Sequence, residues 1–241
     1  MIQLQTWQWA LGVCCALMIG IGKTGAPGVS TLTVPLMVLT VGDARHSAAW
    51  TAPLLIVGDI FAVAYWRRHA AARALFSLVP WVAVGMVAGG LALNVGDHAL
   101  RRVLGFVVLS MLVLSVRRRR HPDSPLPGHA SLYGISAGFA TTIANAAGPV
   151  MSSYLLTRRL PKEQFVATGA WFFFVVNIAK LPIYAANQLF SRESLTFDLA
   201  MVAPVVAGAL SGLWLVRRIS QRSFDGLIIV LSVISALFLF R

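Results

Sequence analysis

Two lysines and one aspartate lie inside long apolar stretches of this chain. Lys23 lies in a stretch otherwise free of charge, Lys180 lies in the middle of residues 165–188, and Asp59 is the acidic residue placed well inside such a stretch. An unpaired charge in an apolar environment costs several kcal/mol, so each lysine needs a fixed carboxylate or a bound anion beside it. Because these cations outnumber the anions, the pattern predicts a binding site for an anion.

Each of these residues also has an alternative interpretation. Lys23 could lie at the edge of the apolar layer and extend its ammonium group into water. Lys180 could form a permanent ion pair with Asp59 that only holds the fold together. Asp59 could instead bind and release a proton during a transport cycle. Lys180 follows Asn177 by three residues, which puts both on one helical face, and Pro182 removes a backbone hydrogen bond just beyond them.

Neutral hydrogen-bond donors cluster around two interruptions rich in Gly and Pro, at residues 20–28 and 144–149. Backbone N–H groups where a helix restarts favour anions, and the helix dipole adds to this preference. A single hydroxyl can also bond to a carbonyl one turn earlier, so no one hydroxyl identifies a site. Asp59 is expected to act as an ion-pair or coupling residue. We expect the anion to be bound by Lys23, Thr24, Gly28, Ser30, Asn145, Gly148, Ser152, Asn177 and Lys180, with Thr141, Thr142 and Ser153 as further donors.

Other kinds of site lack the residues that they need. Cys14 and Cys15 are adjacent, which provides neither a disulfide framework nor metal-ligand spacing. The Gly-Lys-Thr sequence at residues 22–24 lacks the upstream glycine and the strand of a phosphate-binding loop. No HExxH motif, paired catalytic carboxylates or Ser/His/Asp arrangement is found. The sequence therefore predicts no metal, no cofactor and no enzymatic activity.

The elements that must position these residues are membrane helices. Of the 241 residues, 58% are hydrophobic and 12% are charged, which is more apolar surface than a soluble domain of this length can bury. The net charge of +12 would suggest nucleic acid in a soluble protein, but the basic residues lie at the ends of apolar runs and form no basic face with aromatics. The first basic residue is Lys23, so we expect the first apolar run to be retained rather than cleaved as a signal peptide.

Ten apolar segments can be counted, at about residues 7–22, 28–42, 48–66, 74–93, 99–116, 131–146, 149–157, 165–188, 198–216 and 224–240. The connections after the odd-numbered segments hold fourteen basic residues, and the opposite side holds five. By the positive-inside rule the first group faces the cytoplasm, so both termini are expected outside. The segments around Cys14, Val34, Ile143 and Tyr154 are too short to cross ~30 Å of hydrocarbon.

The two halves of the chain resemble each other at a separation of roughly 118 to 123 residues. The alignment places Asp59 opposite Asn177, and it matches Gly-x-x-x-Gly pairs at residues 85–89 and 208–212, which we expect to be packing surfaces. Five segments per half is an odd number, so the second half must enter the membrane from the other side.

The predicted fold is an all-α polytopic membrane protein. It has two inverted-topology repeats of about five hydrophobic segments each, with broken or re-entrant helices at the start of each half. The first transmembrane repeat is expected at residues 1–120, a cytoplasmic linker at 121–130 and the second transmembrane repeat at 131–241.

The chain resembles the sulfite exporter TauE/SafE family of permeases over nearly its whole length. The resemblance is carried by residues 20–35, by residues 138–156 and, most specifically, by residues 167–182 with their Asn177-x-x-Lys180-x-Pro182 pattern. It implies transport of sulfite, thiosulfate or an organosulfonate such as sulfoacetate, without an ATPase of its own. The first half departs from the family where Lys-Thr-Gly-Ala-Pro replaces a plainer glycine run, which leaves open an altered substrate choice or a tolerated loop variant.

We expect a secondary transporter that works by alternating access, with the anion near the midplane between the breaks at residues 23–30 and 143–153. Lys180 and Lys23 would supply the charge. The alternative is a passive anion channel. A proton and a sodium ion are the candidate coupling ions, a homodimer is a candidate assembly, and nucleic acid is not expected as a partner. The expected location is the plasma membrane, as a multi-pass protein of a bacterial inner membrane.

Overall fold

The computed structural model of the protein describes residues 4–26, 29–71, 75–93 and 130–220, together with residues 223, 226 and 230. Every element within these residues is helical, as predicted. Short 3-10 turns at Val29–Leu32 and Arg67–His69 precede α2 and follow α3. The predicted segment 99–116 and most of 224–240 lie outside the described residues. The helices are α1 Thr6–Thr24, α2 Thr33–Val41, α3 Ala44–Trp66, α4 Val79–Ala92, α5 Ala130–Ala144, α6 Ala147–Thr157, α7 Lys162–Ala186 and α8 Arg192–Arg218.

Among the residues that the structure describes, three helical stretches are long and apolar enough to cross a membrane. They are Ala44–His69, which is α3 with the turn that follows it, Lys162–Ala186 and Arg192–Arg218. At 1.5 Å per residue each measures roughly 40 Å, which exceeds the ~30 Å of the hydrocarbon layer. Val79–Ala92 is a shorter apolar helix. These lengths fit a chain that crosses the membrane several times.

The second predicted interruption is a break between α5 and α6. Asn145 has a φ of 53°, in the left-handed region that ends a run of right-handed helix. The helix restarts at Ala147, and Pro149 lies in its first turn, where a missing N–H removes no helical hydrogen bond. α6 has 11 residues, about 17 Å, and is too short to cross the membrane alone.

The first interruption is shorter than predicted. α1 continues through Gly20 and Gly22 and ends at Thr24. A Cβ atom on Gly20 would collide with the carbonyl oxygen of Val205, and one on Gly22 would collide with the backbone nitrogen of Ser30. These glycines allow neighbouring backbone to approach the helix rather than ending it, which is why glycine density overestimated the length of the break.

The fourth helix of each half packs along the first helix of the other half. α8 lies along α1, α4 lies along α5, and α3 packs against α7. A Cβ atom on Gly208 would collide with the carbonyl oxygen of Leu17, and one on Gly85 would collide with that of Ile135. The Gly-x-x-x-Gly pairs are therefore packing surfaces, as predicted, because their missing side chains let the two backbones touch.

Asp43 starts α3 after the left-handed Gly42 that ends α2. Its Oδ1 accepts a hydrogen bond from the backbone N–H of His46 at 2.8 Å, as an N-cap residue does. Partial burial raises the pKa of Asp43, but the hydrogen bonds and charge of His46 outweigh burial and hold the pKa below its usual value. This cap fixes where α3 begins and hence the depth of Asp59, four turns further along the helix.

Candidate functional site

Lys23 and Asp59 form a buried ion pair. Lys23 Nζ at the end of α1 lies 2.8 Å from Asp59 Oδ1 on α3, and the two side chains are 6% and 0% exposed. The neighbouring Gly58 makes room for the lysine, since a Cβ atom there would lie 3.0 Å from Lys23 Cγ. Lys23 therefore does not extend into water, and the alternative in which Lys180 pairs with Asp59 is wrong. The packing of α1 on α3 brings Lys23 to the carboxylate instead.

Asn177 binds the other oxygen of the same carboxylate. Its Nδ2 donates to Asp59 Oδ2 at 2.5 Å, and Asn177 is 1% exposed. Asp59 is thus held between a cation from α1 and an amide from α7. Asn177 Oδ1 has no hydrogen-bond partner, so a buried acceptor remains available beside the ion pair.

Lys180 is fully buried one turn after Asn177 and contacts neutral oxygen atoms. Its Nζ donates to Asn145 Oδ1, and it lies 3.2 Å from Thr141 Oγ1. Asn145 Nδ2 in turn donates to the carbonyl oxygen of Ala48 on α3 at 2.8 Å. The break between α5 and α6 is therefore connected by side chains to both α7 and α3.

A small cavity of about 30 Å³ lies between α1, the 3-10 turn before α2, α6 and α7. This volume holds about one or two water molecules. Its polar side carries four of the predicted binding residues, Lys23, Ser30, Gly148 and Ser152. Its remaining lining residues are Gly22, Met151, Leu155, Phe165, Val166, Gly169, Ala170 and Phe173. The cavity therefore joins both predicted interruptions, and one side of it is apolar.

The other predicted binding residues lie elsewhere. Asn145, Asn177 and Lys180 form the buried polar cluster described above and do not line this cavity. Thr24 Oγ1 contacts the carbonyl oxygens of Gly20 and Ala209, at 3.0 and 2.7 Å, which is a packing contact between α1 and α8. Gly28 lies outside the described residues.

Two of the further donors have different environments. Thr142 Oγ1 donates to the Gly138 carbonyl one turn earlier, at 2.9 Å. This is the local hydrogen bond that any hydroxyl in a helix can form instead of binding an anion. Ser153 is buried on α6 beside the cavity residue Ser152, and its Oγ has no hydrogen-bond partner.

Phe173 is a cavity residue that is not among the predicted binding residues. Its ring centroid lies 4.3 Å from Lys23 Nζ, within the range of a cation–π contact. Phe173, Asn177 and Lys180 follow one another at intervals of four and three residues, which puts them on one face of α7. This spacing is the signal that could have identified Phe173.

A larger apolar groove of about 560 Å³ lies between α4 and α7. Arg67 is its charged lining residue, and the other lining side chains, such as Phe76, Met86 and Trp171, are apolar. An anion inside this groove would find few hydrogen-bond donors, so the smaller cavity with its buried cation is the candidate site.

The family comparison agrees with this architecture. The family model for the sulfite exporter TauE/SafE family matches residues 11–239 of the 241-residue chain. Neither a curated protein nor a solved structure gives a match. The matched region includes both breaks, the Lys23–Asp59 ion pair and the cavity. The resemblance seen in the sequence is thereby confirmed, and the chain belongs to the sulfite exporter TauE/SafE family of membrane permeases.

Proposed function

We propose that the protein is a secondary transporter that carries sulfite, thiosulfate or an organosulfonate such as sulfoacetate by alternating access. The observation that carries this proposal is the cavity between the two interruptions. There a buried cation at the end of α1 faces the first turns of α6, which supply Gly148 and the hydroxyl of Ser152. Such a set of donors suits an anion whose several oxygens each accept hydrogen bonds.

The buried side chains in and beside the cavity include more cations than anions, which favours an anionic ligand. Lys23 and Lys180 are both buried, and Asp59 is the acidic residue beside them. With both lysines protonated, this cluster carries one net positive charge. An anion brought to Lys23 would offset this positive charge, and Asn177 would retain its bond to Asp59 while Lys23 turned toward the anion.

The size of the cavity and the helices that form it support alternating access. Since about 30 Å³ does not hold a sulfonate, the surrounding helices must separate before an anion can enter. The cavity is lined by α1 and the turn before α2 from the first half and by α6 and α7 from the second. A movement of one half against the other would therefore open it, as in transporters built from inverted repeats.

The inverted repeat itself is part of the proposal. It is supported by the exchanged packing, in which α8 lies along α1 and α4 along α5. It is also supported by the contact between Asp59 and Asn177, which the alignment of the halves pairs. With the charge distribution of the loops, this model has both termini outside a bacterial plasma membrane, and residues 121–130 as a cytoplasmic linker between repeats at 1–120 and 131–241.

Exchange of labelled anions in proteoliposomes tests this function. Vesicles preloaded with unlabelled sulfite, thiosulfate or sulfoacetate should take up the same labelled anion, and the uptake should saturate. Lys23→Gln should reduce this exchange at least tenfold, whereas Arg68→Gln, which removes an exposed cation away from the cavity, should not. Flux that does not saturate and shows no exchange would instead indicate a passive anion channel.

A further inference from the structure

Asp198 is a buried acidic residue that the proposed anion site does not use. It lies six residues after the start of α8, about 9 Å along the helix, and is 6% exposed. Neither Oδ1 nor Oδ2 has a hydrogen-bond partner, and the described ion pairs do not include this carboxyl. By contrast, Glu193 on the same helix lies in the first turn, where the helix dipole favours a negative charge.

The neighbours of Asp198 do not supply a charge to balance it. α8 packs against α1 and α3, and the adjacent Phe197 lies between the rings of Trp9 and Trp50, with centroid distances of 5.5 Å to each. Trp50 Nε1 is buried and also lacks a partner. No described side chain forms an ion pair or hydrogen bond with the Asp198 carboxyl. The other titratable residues of these three helices are Cys14, Cys15 and Lys23 on α1; Arg45, His46, Asp59 and Tyr65 on α3; and Arg192, Glu193, Arg217 and Arg218 on α8.

This environment accepts a carboxylic acid far better than a carboxylate. An ionised carboxyl without a partner in a buried membrane helix costs several kcal/mol, whereas the protonated acid avoids most of that penalty. Ionisation would therefore require water at Asp198, which means that α8 must move away from α1 or α3. Protonation and the close packing of these helices are thus thermodynamically linked.

A proton suits this position better than a sodium ion. Hard cations are bound by several oxygen ligands at once. Neither oxygen of the Asp198 carboxyl has a hydrogen-bond partner, and the adjacent Phe197 packs against the aromatic rings of Trp9 on α1 and Trp50 on α3. A proton needs one carboxylate oxygen.

α1 connects this carboxyl with the anion cavity. Trp9 on α1 contacts Phe197, the residue before Asp198, and Lys23 lies fourteen residues after Trp9 on the same helix, about 21 Å away. A helix of this length moves largely as one body, so separating α1 from α8 at Asp198 also displaces Lys23 and the cavity that it lines.

We propose that Asp198 is a proton-binding site that couples anion transport to a proton gradient. When α8 separates from its neighbours, the carboxylate takes a proton from water and an O–H bond forms. The neutral acid is then enclosed as the helices pack, and the proton returns to water when they separate again. This inference rests on the proposed transport function.

Two assays on the same proteoliposomes test the proposal, with thiosulfate and sulfoacetate as probes because both stay ionised at neutral pH. The first is exchange of labelled anion at equal pH, and the second is net accumulation driven by an imposed pH gradient. The wild type should show both. Asp198→Asn should retain exchange and lose at least nine-tenths of the pH-driven accumulation, while Glu193→Gln, an acid on the same helix outside the buried core, should retain both.

The outcomes separate the two proposals. Failure of the wild type to exchange either anion would contradict the transport function. Exchange without pH-driven accumulation in the wild type, or full pH-driven accumulation by Asp198→Asn, would overturn the role of Asp198. If Asp198→Asn does not fold, Asp198→Glu replaces it: this variant should keep pH-driven accumulation with a shifted pH dependence, and an unshifted dependence would also overturn the role.

Discussion

Asn177 Nδ2 donates to Asp59 Oδ2 at 2.5 Å, and this hydrogen bond joins α7 to α3 inside the protein. Asp59 also carries the ion pair with Lys23, so one carboxylate connects three helices. In the proposed repeat, Asp59 and Asn177 occupy aligned positions. A second carboxylate at Asn177 would place two buried like charges in contact, which explains why an amide suits this position.

The first prediction concerns the partner of Asp59. Asp59→Asn should lower stability by roughly 3–5 kcal/mol, because it leaves Lys23 buried without a counter-charge. The double variant Asp59→Asn with Lys23→Gln should recover part of that loss. Thermal unfolding in detergent measures both effects. Asp59→Asn with Lys180→Gln is the matched control, and a larger recovery in this control would make Lys180 the true partner.

The second prediction ranks the two lysines in anion binding. Lys23→Gln should weaken binding of thiosulfate or sulfoacetate by at least tenfold, about 1.4 kcal/mol, since Lys23 lines the cavity. Lys180→Gln should weaken it less, because Lys180 contacts Asn145 and Thr141 instead. Binding titrations on the purified protein decide the order. The opposite ranking would move the anion site to the cluster around Lys180.

The third prediction uses the free space at Gly169. A Cβ atom there would lie 3.8 Å from Leu155 Cδ1, an ordinary contact, so Gly169→Ala should fold normally while narrowing the apolar side of the cavity. Exchange of sulfoacetate should fall by about tenfold more than exchange of sulfite, since the larger anion needs that side. Gly90→Ala, outside the cavity, is the control. An equal effect of Gly169→Ala on both anions would argue that the organic part of the substrate does not lie there.

The fourth prediction concerns topology. After Cys14 and Cys15 are replaced by serine, single cysteines at Asp97 and at the C-terminus should react with an impermeant maleimide added outside intact cells. A single cysteine at Arg119 should react only after the membrane is opened. A C-terminus that is reached only from inside would be incompatible with ten crossing or re-entrant segments in inverted halves.

Sequence reasoning located the buried polar residues better than it identified their partners. The proposed repeat aligns Asp59 with Asn177, and these residues are in contact. In an inverted repeat, residues related by the two-fold axis can meet where that axis passes. The spacing along α7 assigned Lys180 to a face, but it could not say that α1 reaches Asp59 through the gap at Gly58. Contacts of this kind depend on helix packing, which residue spacing along one helix does not encode.

The two interruptions also differ in how well the sequence predicted them. Asn145 and Pro149 set their break locally, through a left-handed backbone and a first-turn proline, so the sequence located it well. Gly20 and Gly22 have no such local effect. Because these glycines have no side chain, α8 packs closely against Gly20 and the turn at Ser30 packs closely against Gly22. α8 is distant in the sequence, and Ser30 reaches Gly22 only because the chain folds back.

The exchanged packing of α1 with α8 has a consequence for how the protein is made. Synthesis proceeds from the N-terminus, so α1 enters the membrane well before the ribosome has reached residue 192. During that interval the surface of α1 around Gly20, which α8 covers in the complete fold, is without α8. A truncated chain that stops after the first half would therefore keep this backbone surface of α1 without the helix that covers it in the complete fold.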